Sequence, residues 1–186
     1  MPILTQETDI FPSDLLVSPE YVADGKSWWA AYTLSRREKQ LMRKLLTLEV
    51  PFFGPTISRR YRSPNGRLRE SFQPLFANYV FICGDQVQRY QSLTTNCVSR
   101  FVPVCESAEL VSDLRQIRDL IEIGARMSPE SRLLAGTKVR VKTGVFAGFE
   151  GVVIRREDKA RLLVAVNFTL QGASVQLDDC QLEAID

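Results

Sequence analysis

Residues 136–156 read GTKVRVKTGVFAGFEGVVIRR. Val139 and Val141 alternate with Lys138, Arg140 and Lys142, the period of a strand with one buried face and one basic face. Gly144, Gly148 and Gly151 follow at close spacing, where a chain bends sharply or lets another backbone approach. Val152, Val153 and Ile154 then form an apolar run closed by Arg155 and Arg156. The stretch predicts strand, glycine turn, strand. Downstream, RLLVAVNF (161–168), ASVQL (173–177) and QLEAI near the end carry the same signature, with Lys159 and Gln171-Gly172 in turns. About five short strands with glycine corners predict a small all-β, SH3-like barrel over residues 136–186. The spacing Gly144-x-x-x-Gly148-x-x-Gly151 is not a phosphate loop. It lacks the Gly-Lys-Ser/Thr ending, and a strand follows it instead of a helix.

Working back toward the N-terminus, residues 125–135 (ARMSPESRLLA) show no element pattern and hold Ser128-Pro129, so they read as an interdomain linker. Residues 27–124 read as a larger α+β domain. SWWAAYTL (27–34) is an aromatic strand, and Ser35 can cap a helix from Arg36 to about Leu48. Leu41, Leu45 and Leu48 mark the buried side of that helix. Pro51 and Pro55 bracket Phe52-Phe53 after it and stop it. TISRRYR and RLRESFQ flank Ser63-Pro64-Asn65-Gly66, and Asn-Gly supplies the backbone that a tight hairpin needs. That hairpin is too polar to be buried, and its Tyr61 suits either stacking or packing. LFANYVFI (75–82) reads as a central strand, Asp85 as the cap of a short helix, and VSRFVPV (98–104) as another strand. A helix runs from about Ser107 to Ile123 with Gly124 as its stop. Helices dispersed among hairpin-joined strands predict an antiparallel sheet packed with helices. Residues 1–26 are acidic and hold three prolines, and they read as an arm that docks Phe11 and Leu15/Leu16 on the next domain.

The net charge of +2 conceals a strong asymmetry. Residues 1–26 carry five acids and one base, whereas residues 27–74 carry ten bases and three acids. A basic block in a near-neutral chain is an electrostatic footprint suited to phosphate or to an acidic protein surface. The chain has no histidine, which excludes His-based triads and nearly all common zinc sites. Its four cysteines form no Cys-x-x-Cys pair and read as buried reduced thiols, which suits a cytoplasmic protein. Asp178-Asp179 reads as a solvated turn. No constellation supports an enzyme, and no cofactor or metal is required. No signal peptide and no membrane span is legible.

Three segments resemble the NusG family of transcription elongation factors. SWWAAYTLSRREKQ looks like the opening strand and helix of the family's N-terminal (NGN) domain. Pro74-Leu75-Phe76-Ala77-Asn78-Tyr79-Val80-Phe81 looks like its central strand, with Ala77 where proline is usual and a wording closest to RfaH-like paralogues. Residues 136–183 look like its KOW domain. The resemblance spans residues 27–186 and implies an arm (1–26), an NGN-like domain (27–124), a linker (125–135) and a KOW barrel (136–186).

The resemblance implies a monomeric elongation or antitermination factor that binds the clamp helices of RNA polymerase and promotes processive elongation. Tyr32, Phe76, Tyr79, Phe81 and Phe101 would form the polymerase-binding patch. Arg36, Arg37, Lys39, Arg43 and Lys44 would face upstream or non-template DNA. Thr94, Thr95 and Asn96 would make a second polymerase contact, with Asn96 standing where RfaH has a basic residue. The KOW domain would recruit Rho or a small-subunit ribosomal protein through Phe168 and Leu170, although Phe168 fits equally in the barrel core. The alternative reading is a KOW-containing ribosomal or ribosome-assembly protein that binds RNA. Against it, an rRNA binder would normally carry a larger positive charge than +2.

Overall fold

A computed structural model of the chain describes residues 7–18, 21, 26–62, 64–130, 136–156, 159–166, 171–177 and 182–185. Contacts group the chain into two units, Met1–Ser107 and Ala108–Asp186. The architecture is α+β, as the sequence predicts.

The first unit runs β1 (Ile10–Phe11), β2 (Ser27–Thr33), α1 (Glu38–Thr47), β3 (Phe52–Phe53), β4 (Thr56–Arg62), β5 (Leu68–Pro74), β6 (Tyr79–Gly84), α2 (Gln86–Thr94) and β7 (Val98–Pro103). Five strands form an antiparallel sheet in the order β1-β3-β6-β2-β7. The pleat sends Ala31, Val80 and Ile82 to one face, where they meet Leu41, Met42 and Leu45 of α1 in a fully buried cluster. Packing of that leucine stripe holds α1 in place. Arg37 at its N-cap offers no side-chain cap. Ser35, expected as the cap, lies two residues short of that position. The arm docks as its apolar residues suggest: Leu15 and Leu16 are fully buried, and Ile10–Phe11 add a strand to the sheet edge at β3.

Two apolar stretches differ from their sequence reading. Phe52-Phe53, given no element between the two prolines that stop α1, forms a strand because β1 and β6 take its backbone bonds on both sides. Leu75 to Asn78, read as strand, forms a turn ahead of β6, with Leu75 and Phe76 buried and Ala77 exposed. Asn78 adopts φ 65°, a left-handed conformation that breaks an extended chain. The helix α2 begins as expected: Asp85 accepts the Gln88 N–H at 2.8 Å, and Gln88 Oε1 accepts the Asp85 N–H at 3.1 Å. The hairpin β4–β5 pairs only with itself among the described residues.

The second unit holds most of α3 (Ser107–Glu122) and a six-stranded antiparallel sheet. Its strands are β8 (Met127–Glu130), β9 (Lys138–Val141), β10 (Glu150–Arg156), β11 (Lys159–Val166), β12 (Gln171–Gln176) and β13 (Leu182–Ala184). Their order is β13-β9-β10-β11-β12-β8, and the described pairings include no β8–β13 closure. Val139, Val141, Ile154, Leu162, Val164 and Val175 are buried. Gly151 lies so close to β11 that a Cβ there would sit 2.4 Å from the Leu163 carbonyl oxygen, so no side chain fits. Within 125–135, which reads as linker, Met127–Glu130 form β8 against Gly172–Val175. Gln171-Gly172, read as turn, is strand because it pairs with Ala165 and Val166 of β11. Backbone hydrogen bonds to an edge need no apolar pattern, so the sequence is silent about them. Lys159, read as turn, begins β11 opposite Arg156 for the same reason.

Candidate functional site

The two motifs of the first unit are tied by one buried carboxylate. Glu38, in the first turn of α1, is 8% exposed and accepts the Asn78 N–H at 2.8 Å. The Asn78 carbonyl in turn accepts the Thr33 N–H at 2.8 Å. The turn between Phe76 and Tyr79 is thus held from two sides, by α1 and by β2.

This arrangement sets a row of side chains across three strands. Tyr79 and Tyr32 are direct cross-strand partners, with ring centroids 5.2 Å apart and planes at 74°. Tyr32 in turn pairs with Arg100 of β7, whose guanidinium lies 4.9 Å from its ring centroid. Both tyrosines are half-buried and Arg100 is exposed. The row Tyr79–Tyr32–Arg100 is an aromatic strip with a cationic end.

The other expected members of the patch sit elsewhere. Phe76 and Phe81 are 1% and 0% exposed and contact edge to face at 5.7 Å. Phe81 shares the sheet face of Tyr79 and Tyr32, two residues along β6, but in its buried part. Phe101 pairs with Ala31, so the pleat places it on the face opposite Tyr32. There it meets Trp29 at 6.5 Å, and Arg89 of α2 lies 5.4 Å from its centroid.

The basic residues of α1 also divide. Arg36, Arg37, Lys39 and Arg43, with the buried Glu38 and with Gln40, Gln73, Pro74 and Ala77, line an open groove of about 620 Å³. Arg37 Nη1 donates to Gln40 Oε1 within it. Arg43 Nε donates to the Lys39 carbonyl and lies 3.1 Å from Glu7 of the acidic arm. Lys44 is turned away from this group. Its Nζ donates to the Thr95 carbonyl at 2.7 Å and holds the end of α2. Thr95 is 3% exposed, and its hydroxyl donates to the Ser92 carbonyl. Thr94 and Asn96 flank it at the surface, Asn96 at φ 55°.

Phe168 and Leu170 lie outside the described residues, as do Asp178 and Asp179. Sequence reasoning missed Glu38, Arg100 and Gln73. Glu38 could have been found by asking what satisfies an asparagine turn. Arg100 and Gln73 required the strand pairings. Burial pushes the Cys83 thiol up to about 12, against a smaller opposing effect of Lys26, so it is no nucleophile at neutral pH. No three His, Cys, Asp or Glu side chains among the described residues converge on a metal-sized site. No helix among them is long and apolar enough to cross a membrane.

Comparison with known proteins identifies the family of the chain. Residues 26–121, which hold four of the five strands of the first sheet, the turn and the basic helix, match the family model described as transcription termination factor nusG. The chain is also 27% identical over 180 aligned residues to the transcription termination/antitermination protein NusG of Pseudomonas aeruginosa, covering 86% of this chain and 99% of that protein. The chain belongs to the NusG family.

Proposed function

We propose that this protein is a transcription elongation and antitermination factor that rides on RNA polymerase. The observation that carries the reading is the strip Tyr79–Tyr32–Arg100, set on a rigid sheet and left partly open. Aromatic and arginine side chains supply most of the energy at protein interfaces, and a rigid sheet presents them at little entropic cost. The strip is the docking surface for the clamp helices of the polymerase. Phe76 and Phe81 pack against each other as the buried aromatic pair of the same unit. Thr94, Thr95 and Asn96 serve a second contact, and Phe101 packs against the α1 face of the sheet, away from the strip.

The groove lined by Arg36, Arg37, Lys39 and Arg43 faces DNA, because four cations around an open groove attract phosphates. The sheet of residues 127–184 recruits a further factor, Rho or a small-subunit ribosomal protein, with Phe168 and Leu170 as its contacts. Binding to the polymerase through one unit and to a partner through the other requires no chemistry by the protein itself.

The test is capture of RNA polymerase by the full chain and by Tyr32→Ala/Tyr79→Ala. The double variant is expected to bind at least roughly 30-fold more weakly, the effect of removing one strong aromatic contact. Its fold, read by circular dichroism, should be intact, since neither ring is fully buried. Unchanged capture would overturn the docking surface. Recovery of ribosomal particles in RNase-sensitive form, without polymerase, would overturn the reading as a whole.

A further inference from the structure

The β4–β5 hairpin projects two seven-residue strands, an arm of about 20 Å. Its register sorts its charges onto two unlike faces. Ser58, Arg60, Arg62, Leu68, Glu70 and Phe72 share one face, where Glu70 pairs with Arg60 at 3.3 Å. Arg59, Tyr61, Arg69, Ser71 and Gln73 share the other, which holds no acid. Tyr61 sits at its centre, 46% exposed, with Arg59 two residues back along its strand and Arg69 directly across from it. An exposed tyrosine in a solvent-facing hairpin has no apolar layer to join. Flanked by two arginines on a face of the hairpin without an acid, its ring is a platform for an unpaired base, with cations placed for the phosphates on either side. Gln73 at the base of the same face also lines the groove of Arg36, Arg37, Lys39 and Arg43. The acid-free face and the groove therefore form one continuous basic track.

We infer that the Arg59–Tyr61–Arg69 face of the hairpin binds single-stranded DNA by stacking a base on Tyr61. The inference rests on the proposed DNA-facing role of the α1 groove and extends that track outward. A single strand is specified because a duplex keeps its base faces stacked and offers Tyr61 nothing but its backbone. DNA is specified because the track is continuous with the groove assigned to it.

The test is fluorescence anisotropy of the full chain with a labelled oligo-dT of roughly 12 nucleotides, within the range that one such site covers. A duplex and an oligo-rU of equal length serve as comparisons. Tyr61→Ala should weaken oligo-dT binding by at least about fivefold, leave duplex binding unchanged, and be rescued by Tyr61→Phe. Arg59→Ser/Arg69→Ser should lower the slope of log K against log salt by about 1.4, two single-strand phosphate contacts. Arg60→Ser/Arg62→Ser removes the same charge from the opposite face and should change the slope far less. Equal effects of the two arginine pairs, or no effect of Tyr61→Ala, would overturn the inference. Tyr61-dependent binding that prefers oligo-rU would overturn the assignment to DNA. Loss of binding in Arg37→Ser/Arg43→Ser, with the hairpin variants unaffected, would overturn the inference and leave the groove standing. Binding to none of the probes would overturn both.

Discussion

Replacing Glu38 by alanine tests whether one carboxylate joins the two motifs of the first unit. Glu38 is 8% exposed, and its Oε1 accepts the Asn78 N–H at 2.8 Å. A hydrogen bond to a charged group contributes about 1.5–3 kcal/mol, and an acid in the first turn of a helix adds roughly 0.3–1 kcal/mol. Asn78 is only half-buried, so water replaces part of the lost bond. Glu38→Ala should therefore cost about 2 kcal/mol. Glu38→Gln keeps an oxygen acceptor without the charge and should cost about half as much. Both tryptophans, Trp28 and Trp29, lie in this unit, so their fluorescence reports its unfolding alone. With a urea m-value of about 2 kcal/mol/M, the midpoint should fall by about 1 M for Glu38→Ala and about 0.5 M for Glu38→Gln. Affinity for RNA polymerase should fall with it, because Asn78 positions Tyr79. A shift below about 0.2 M for Glu38→Ala, or equal shifts for the two variants, would refute the reasoning.

Asn78→Gly should leave that midpoint within about 0.5 kcal/mol of the parent, whereas Asn78→Ala should lower it by roughly 1–2 kcal/mol, since φ 65° suits glycine and penalises a Cβ. Gly151→Ala should destabilise the second unit by about 1–3 kcal/mol, because its Cβ would sit 2.4 Å from the Leu163 carbonyl; circular dichroism melts would read this. In native protein, peptide mapping after brief alkylation should find Cys105 modified and Cys83 and Cys97 protected, following their exposure. The fold holds the Cys83 thiol neutral up to about 12 while an unfolded thiol ionises near 9.0, so its contribution to stability is whole below 9.0 and declines as pH rises toward 12. Denaturation midpoints compared for the parent and Cys83→Ser across that range would show a steeper fall in the parent.

Much of the fold is legible along the chain because it depends on local chemistry. The Asn65-Gly66 turn, the Asp85 capping box and the Leu41/Leu45 stripe each act within one helical turn or one hairpin, and each stands where the sequence puts it. The candidate site is less legible. The family resemblance groups five aromatic rings into one patch. The structure keeps Tyr32 and Tyr79 together, buries Phe76 and Phe81, and puts Phe101 on the other face. It likewise groups five cations on one helix, of which Lys44 is committed to the Thr95 carbonyl and Arg43 lies against Glu7.

The sequence by itself determined the longer helices and strands, their order, the charge block at residues 27–74 and the family. The tertiary structure alone decided which side chains share a surface. A strand's alternation names two sets of residues, but only its pairing with a strand far along the chain says which set meets which. Tyr32 meets Arg100, and Phe101 meets Ala31, because β2 and β7 pair in one register; a slip of one residue would exchange them. The same holds for the hairpin, where register alone separates Arg59, Tyr61 and Arg69 from Glu70. It holds as well for residues 127–130, which carry no strand pattern and become strand because β12 offers them an edge.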